Sequence, residues 1–179
     1  MSRRVPRNDL QVLLSAEQIA SRVKELAAQI SADYRGRPLH LIGMLKGAWV
    51  FLADLVRHLD LKVTVDFLSI ASYGGASVSS GAVRITKDLD QSIEGLDVLV
   101  VEDILDTGHT FEYLRGVLEA HKPKSLKVVT LLDKSSRRVR PVEADYVGFT
   151  IPDVFVVGYG LDYSQQYRNL PDVRIWRAT

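Results

Sequence analysis

The stretch Val98-Leu99-Val100-Val101-Glu102-Asp103-Ile104-Leu105-Asp106-Thr107-Gly108-His109-Thr110 runs from an apolar, β-branched segment through two adjacent carboxylates into a small polar loop. The apolar part predicts a strand buried on both faces. Glu102 and Asp103 interrupt the run and predict a short acidic turn. A helical pattern from Phe111 to His121 follows. Strand, acidic turn and helix N-terminus in that order fit an open parallel sheet, where ligands bind outside the carboxyl ends of the strands.

The flanking sequence supports that sheet. Ser15 and Gln18 have capping-box spacing. Ile19, Val23, Leu26, Ala27 and Ile30 then recur at helical intervals, predicting a helix to about Asp33 that Gly36 and Pro38 stop. Residues 39–44 predict a buried strand, Leu45-Lys46-Gly47-Ala48 a tight turn, residues 49–59 a helix and residues 63–70 a strand. Val12-Leu13-Leu14 is a short edge strand or an apolar lead-in. Residues 72–81 are small, polar and glycine-rich, with little to bury. Extended structure resumes over residues 83–86. Beyond the helix, residues 126–132, 146–149, 154–157 and 173–176 read as strands. Strands alternating with helices predict an α/β fold with a mainly parallel sheet. The late strands without helices predict a small appended lobe.

At 179 residues the chain fits one domain, residues 1–179, with a sizeable core. Its formal charge of +1 provides no field to attract nucleic acid or a membrane. It has no cysteine, which excludes a disulfide scaffold and a thiolate metal site. No apolar run is long enough for a membrane span and no signal-peptide core is present. The expectation is a soluble cytoplasmic protein without nucleic-acid or membrane partners. His40, His58, His109 and His121 lack metal-ligand spacing. Arg137, Arg138 and Arg140 read as a solvated face or a subunit contact.

The chemistry gathers around the opening stretch. Thr107-Gly108-His109-Thr110 opens a helix whose first N–H groups lack partners and whose dipole favours an anion. Gly108 allows close backbone approach. A phosphate monoester fits there, although an ordinary helix capped by Thr107 has the same sequence. Glu102 and Asp103 repel each other at the end of a buried strand. Such a pair suits a cation, Mg²⁺ among them, or two sugar hydroxyls; a solvated turn is the alternative. Asp106 is the candidate general base, or a helix-capping Asp. Lys46 and Gly47 suit a second phosphate group, and Lys134 suits a carbonyl oxygen. Either lysine alone reads as a solvated side chain. Asp162 and Arg168 lie in a Tyr-rich tail that suits the rim of a planar ligand.

Together these residues resemble the purine phosphoribosyltransferases, most closely their 6-oxopurine branch. Residues 100–110 resemble the family's signature for phosphoribosyl diphosphate (PRPP). Leu45-Lys46-Gly47 resembles its diphosphate loop, and residues 151–163 resemble its base-pocket segment. The resemblance implies a type I phosphoribosyltransferase fold with a small hood lobe, from the N-terminal segment and residues 151–179, and a flexible lid over about residues 72–83. The implied reaction is transfer of the 5-phosphoribosyl group from PRPP to N9 of hypoxanthine, and of guanine, giving IMP or GMP and diphosphate.

The implied roles follow the motifs. Asp106, Thr107, Gly108, His109 and Thr110 hold the 5′-phosphate, with Asp106 as base. Glu102 and Asp103 take the ribose hydroxyls with Mg²⁺ nearby. Lys46, Gly47 and Arg168 take the diphosphate, with a cis peptide between Leu45 and Lys46. Lys134 donates to the 6-oxo group, Phe155 stacks on the base, and the Val156 backbone reads its edge. Asp162 holds a second Mg²⁺ through water. Ser72 and Tyr73 belong to the lid. The family also implies homodimers or homotetramers. Ala48 and His109 are departures that touch none of this chemistry. A PRPP-binding regulator of the same fold, a xanthine phosphoribosyltransferase and a flavodoxin-like phosphate-binding domain are the rival readings.

Overall fold

The computed structural model describes residues 10–72 and 83–177. Its elements run β1 (Gln11–Leu14), α1 (Ala16–Asp33), β2 (Leu39–Leu45), α2 (Trp49–Val56), β3 (Val63–Ser72), β4 (Val83–Lys87), β5 (Asp97–Leu105), α3 (His109–Ala120), β6 (Ser125–Asp133), β7 (Tyr146–Thr150), β8 (Val156–Val157) and β9 (Val173–Ile175). The main sheet has the order β4-β3-β2-β5-β6-β7. It is parallel except for β4, which pairs antiparallel with β3 at one edge.

Alternation along the central strands covers both faces. Leu99 and Val101 of β5 join the cluster formed with α1 and α2, through Leu26, Ile30 and Phe51. Val98 and Val100 join the cluster with Phe111, Leu114 and Leu118 of α3. At α1, Ser15 accepts from the Gln18 N–H and the Gln18 side chain accepts from the Ser15 N–H, so the predicted capping box forms.

Chain order sets the position of the site. From β2 the chain moves outward to β3, whereas β5, β6 and β7 step away on the other side. The loops after β2 and β5 therefore leave neighbouring strands at a topological switch point, where a crevice opens outside the carboxyl ends. A second sheet, β1-β9-β8, is antiparallel and joins both ends of the described chain. Val12-Leu13-Leu14 thus belongs to an edge strand.

Four local expectations are corrected. The strand does not break at Glu102 and Asp103: β5 continues to Leu105, because Glu102, Ile104 and Leu105 pair with Thr130, Leu132 and Asp133 of β6. Ladder partners on a neighbouring strand override the local turn signal of two charges. The helix α2 stops at Val56 rather than Leu59. The strand expected over residues 154–157 is only Val156–Val157, since the Val154 N–H turns back to the Pro152 carbonyl at 2.8 Å. Thr107 is not the N-cap of α3; Gly108 is, at φ +90°. Of the lid expected over about residues 72–83, Ser72 ends β3 and Val83 begins β4, and Tyr73 with the residues between lies outside the described residues.

Candidate active site

A cavity of about 450 Å³ opens at the switch point. It gathers Lys46 and Gly47 from the loop after β2, Glu102 and Asp103 from β5, Asp106 and Thr110 from the turn into α3, and Lys134 from the end of β6. Phe155, Val156, Asp162 and Arg168 reach it from the C-terminal segment. Residues far apart in sequence thus share one crevice because the parallel sheet aligns all its strand ends. Thr107, Gly108 and His109 lie outside its lining.

Those three residues are held from behind. The Thr107 carbonyl accepts the N–H groups of Val139 and Arg140 at 3.0 and 3.1 Å. Gly108 sits in the left-handed region, where a side chain is strained, and a Cβ there would come 2.5 Å from Val142 Cγ2. His109 begins α3, and its Nδ1 lies 3.1 Å from Arg140 Nε. The helix start therefore presents its unpartnered N–H groups from a fixed loop.

Gly47 is tied to the acidic pair. A Cβ on Gly47 would overlap the Asp103 carboxylate, so only glycine allows that approach. On the other side, a Cβ on Gly160 would overlap the Gly47 carbonyl oxygen. The peptide before this loop, Leu45–Lys46, is cis. Burial, with the Asp103 charge adding to it, pushes the Glu102 carboxyl well above its ordinary range. Burial also raises Asp103, to about 6, against the lowering effect of its backbone hydrogen bonds, including the Ile104 N–H at 2.8 Å.

Asp106 Oδ1 is buried and accepts no hydrogen bond among the described residues. Arg137 Nε lies 3.4 Å from it, and Arg137 Nη1 lies 3.5 Å from Asp153. Lys134 is 5% exposed, and its ammonium group makes no hydrogen bond or ion pair among the described residues. Its backbone N–H donates to the Leu105 carbonyl at 2.9 Å, which places it beside the end of β5. On a largely buried side chain at the cavity wall, an ammonium with no protein acceptor is open to one supplied by a ligand.

On the far wall, Arg168 pairs with Asp162 at 2.7 Å and donates to the Gly160 carbonyl at 2.8 Å. The other Asp162 oxygen accepts the Gln165 N–H at 2.7 Å. The Gln165 side-chain oxygen accepts from both Lys46 Nζ, at 3.3 Å, and Arg168 Nη2, at 3.2 Å. This link between the two expected diphosphate cations was not expected from sequence, since a lone glutamine carries no motif.

Of the three arginines read as a solvated face or a subunit contact, Arg137 and Arg140 are exposed, though each has partners on other elements, and Arg138 is drawn inward. Arg137 lines the cavity. Arg138 pairs with Asp133 and donates to the Asp106 carbonyl at 2.6 Å. Arg140 reaches Glu112 at 3.3 Å. Their partners lie on other elements, so no local pattern identifies them. Ile104 was also missed: with β5 unbroken, it shares a face with Glu102 and supplies an apolar wall.

Comparison with known proteins extends the geometry. The model of the phosphoribosyl transferase domain family matches residues 10–164. The hypoxanthine-guanine phosphoribosyltransferase of Bacillus subtilis is 51% identical over 164 residues, 92% of this chain and 91% of that protein. That of Staphylococcus aureus is 52% identical over 165 residues, 92% of each chain. The crystal structure of a hypoxanthine phosphoribosyltransferase from Staphylococcus aureus superposes with a TM-score of 0.92 at 48% identity, covering 99% of this chain and 97% of that one. With a family model matched over residues 10–164 and relatives about half identical over nine-tenths of their length, the chain belongs to the phosphoribosyltransferase family.

Proposed function

We propose that the chain is a purine-salvage enzyme that transfers the 5-phosphoribosyl group of PRPP to N9 of hypoxanthine and guanine. The observation that carries the acceptor is Lys134, a largely buried residue in the same cavity as Asp106 whose ammonium makes no hydrogen bond or ion pair among the described residues. A 6-oxopurine supplies the missing acceptor, whereas the 6-amino group of adenine sets donor against donor. An unpaired buried donor costs about 1–3 kcal/mol, which favours the oxo base.

The donor is held in three places. The N–H groups opening α3, with Thr110, bind the 5′-phosphate. Glu102 and Asp103 accept from the ribose hydroxyls. Lys46 and Arg168, joined through Gln165, bind the diphosphate. The site suits Mg²⁺: Glu102 and Asp103 are two half-buried carboxylates whose repulsion a cation relieves. Among the described residues no group of three or more His, Cys, Asp or Glu side chains forms a protein-only cage. A divalent ion with one or two carboxylates and substrate oxygens matches that donor set. Asp162, on the opposite wall, would hold a second Mg²⁺ through water. When bound, Mg²⁺ neutralises charge on the diphosphate.

In the reaction, purine N9 forms a bond to C1′ as the bond from C1′ to the diphosphate oxygen breaks. The electron pair leaves with the diphosphate, where Lys46 and Arg168 stabilise it. The proton at N7 of the incoming base passes to Asp106, whose Oδ1 accepts no hydrogen bond among the described residues and faces Arg137 Nε at 3.4 Å. Such a base is typically worth about 10²–10⁴-fold. Phe155, half-exposed toward the cavity, stacks on the purine, and the Val156 backbone reads its edge.

Turnover with PRPP and Mg²⁺ against hypoxanthine, guanine, xanthine, adenine and uracil tests the proposal. Hypoxanthine and guanine are expected to react and adenine and uracil to fail. Turnover of xanthine alone would move the chain to the xanthine branch, and none with any base would leave a PRPP-binding regulator.

A further inference from the structure

We propose that Trp176 and Tyr163 form an aromatic brace that sets the ring of Phe155 and so controls affinity for the acceptor base. The inference rests on Phe155 being the surface on which the purine stacks.

Phe155 lies just ahead of β8 and is 50% exposed. A half-exposed ring at a strand end would rotate freely without neighbours. Here two rings from two separate segments meet it edge-on. The Trp176 ring lies 5.6 Å away at 67°, and the Tyr163 ring 6.0 Å away at 89°. Those two rings are themselves stacked, 4.0 Å apart at 27°. Edge-to-face contacts at such separations are favourable.

The brace is anchored at both ends. The Trp176 N–H donates to the Phe155 carbonyl at 2.9 Å, so one residue restrains both backbone and ring. Trp176 also packs on the small core of Leu10, Val157 and Leu170. Tyr163 follows Asp162, the partner of Arg168. The free face of Phe155 is therefore oriented before the base arrives, and its rotamer entropy is lost on folding rather than on binding. Trp176 and Tyr163 are positioning residues, since they act through Phe155.

A double-mutant cycle tests this. Trp176→Ala is expected to raise the KM for hypoxanthine about two- to tenfold, the range for losing one aromatic contact. The KM for PRPP should stay within about twofold, because Trp176 lies outside the cavity lining. Trp176→Phe should recover most of the effect. In a Phe155→Ala background, Trp176→Ala should add nothing. If Phe155→Ala raises the KM and Trp176→Ala does not, the brace is wrong while stacking on Phe155 stands. If Phe155→Ala leaves the KM unchanged, the stacking itself fails and the brace with it. Tyr163→Ala, at an exposed position, gives the same reading should Trp176→Ala not fold. The chain has two tryptophans, so a Trp49→Phe variant isolates Trp176 emission. That emission should change on adding IMP, and an unchanged spectrum at saturating IMP counts against the brace.

Discussion

Replacing Asp103 by Asn should make the ligand-free protein more stable at neutral pH and its donor site worse. Asp103 is packed against Gly47 and receives the Ile104 N–H at 2.8 Å. Asn has the same shape and keeps that acceptor, so the substitution removes charge and little else. Burial raises the native carboxyl from 3.8 to about 6. The folded state therefore binds this proton more tightly than the unfolded chain does. Stability is greatest below about pH 4 and is lost as pH rises to about 6 and beyond. The difference between 3.8 and 6 amounts to about 3 kcal/mol at neutral pH. Solvent at the cavity mouth screens part of that, leaving on the order of 1–2 kcal/mol. For a domain of this size, 1–2 kcal/mol raises Tm by roughly 2–8 °C. Metal-free protein in chelator, melted between pH 4 and 8 by circular dichroism, gives the measurement. The Asn variant should melt above the parent at pH 7.5, with the gap narrowing toward pH 4. In turnover its kcat/KM for PRPP should fall. A variant that melts at or below the parent at pH 7.5 refutes the argument that this carboxylate is held ionised against its burial.

Asp106→Ala should fold and bind PRPP, yet lose about 10²–10⁴-fold in kcat; full turnover would remove its role as base. Lys134→Ala should narrow the preference for hypoxanthine over adenine by about 5- to 150-fold, matching one unpaired donor, and an unchanged ratio of kcat/KM values would exclude an oxygen-reading role. Arg138→Ala breaks the pair with Asp133 and frees the Asp106 carbonyl. It should lower kcat with hypoxanthine, and Arg138→Lys should restore part of the loss; equal rates in all three proteins would show that the loop holds itself.

The long periodic elements were legible because local signals and tertiary demands agree there. The stripe of Ile19, Val23, Leu26 and Ile30 with its capping box specifies α1 from end to end. The central strands were legible for the same reason, as continuous apolar runs covered on both faces. Agreement fails at β5. Two charges mid-strand resemble a turn, and only pairing with Thr130, Leu132 and Asp133 of β6 keeps the chain extended. The site divides likewise. Asp106, Lys46 and Lys134, singled out in sequence by their place after predicted strands and by the family resemblance, share one cavity because the parallel sheet aligns its strand ends. Arg137, Arg138 and Gln165 were not singled out, since each reaches the site through a partner far off in sequence: Asp106 for the two arginines and Lys46 for Gln165. Arg138 is informative: five residues after Asp133 it reads as solvated, yet the Asp106 carbonyl that fixes it is 32 residues earlier.

The layering of Asp103, Gly47 and Gly160 has a consequence for redesign. Backbone meets carboxylate and backbone meets backbone, with no side chain between to be trimmed or enlarged. Around Gly47 the half of the site proposed for the donor thus behaves as a fixed jig, its spacing set by the close approach of the Gly47 main chain to Asp103 and Gly160. The acceptor half is bounded by the side chains of Lys134, Phe155 and Ile104, all replaceable one at a time. Directed changes of nucleobase preference therefore belong on that wall, where new shapes are admitted without disturbing the machinery that activates PRPP.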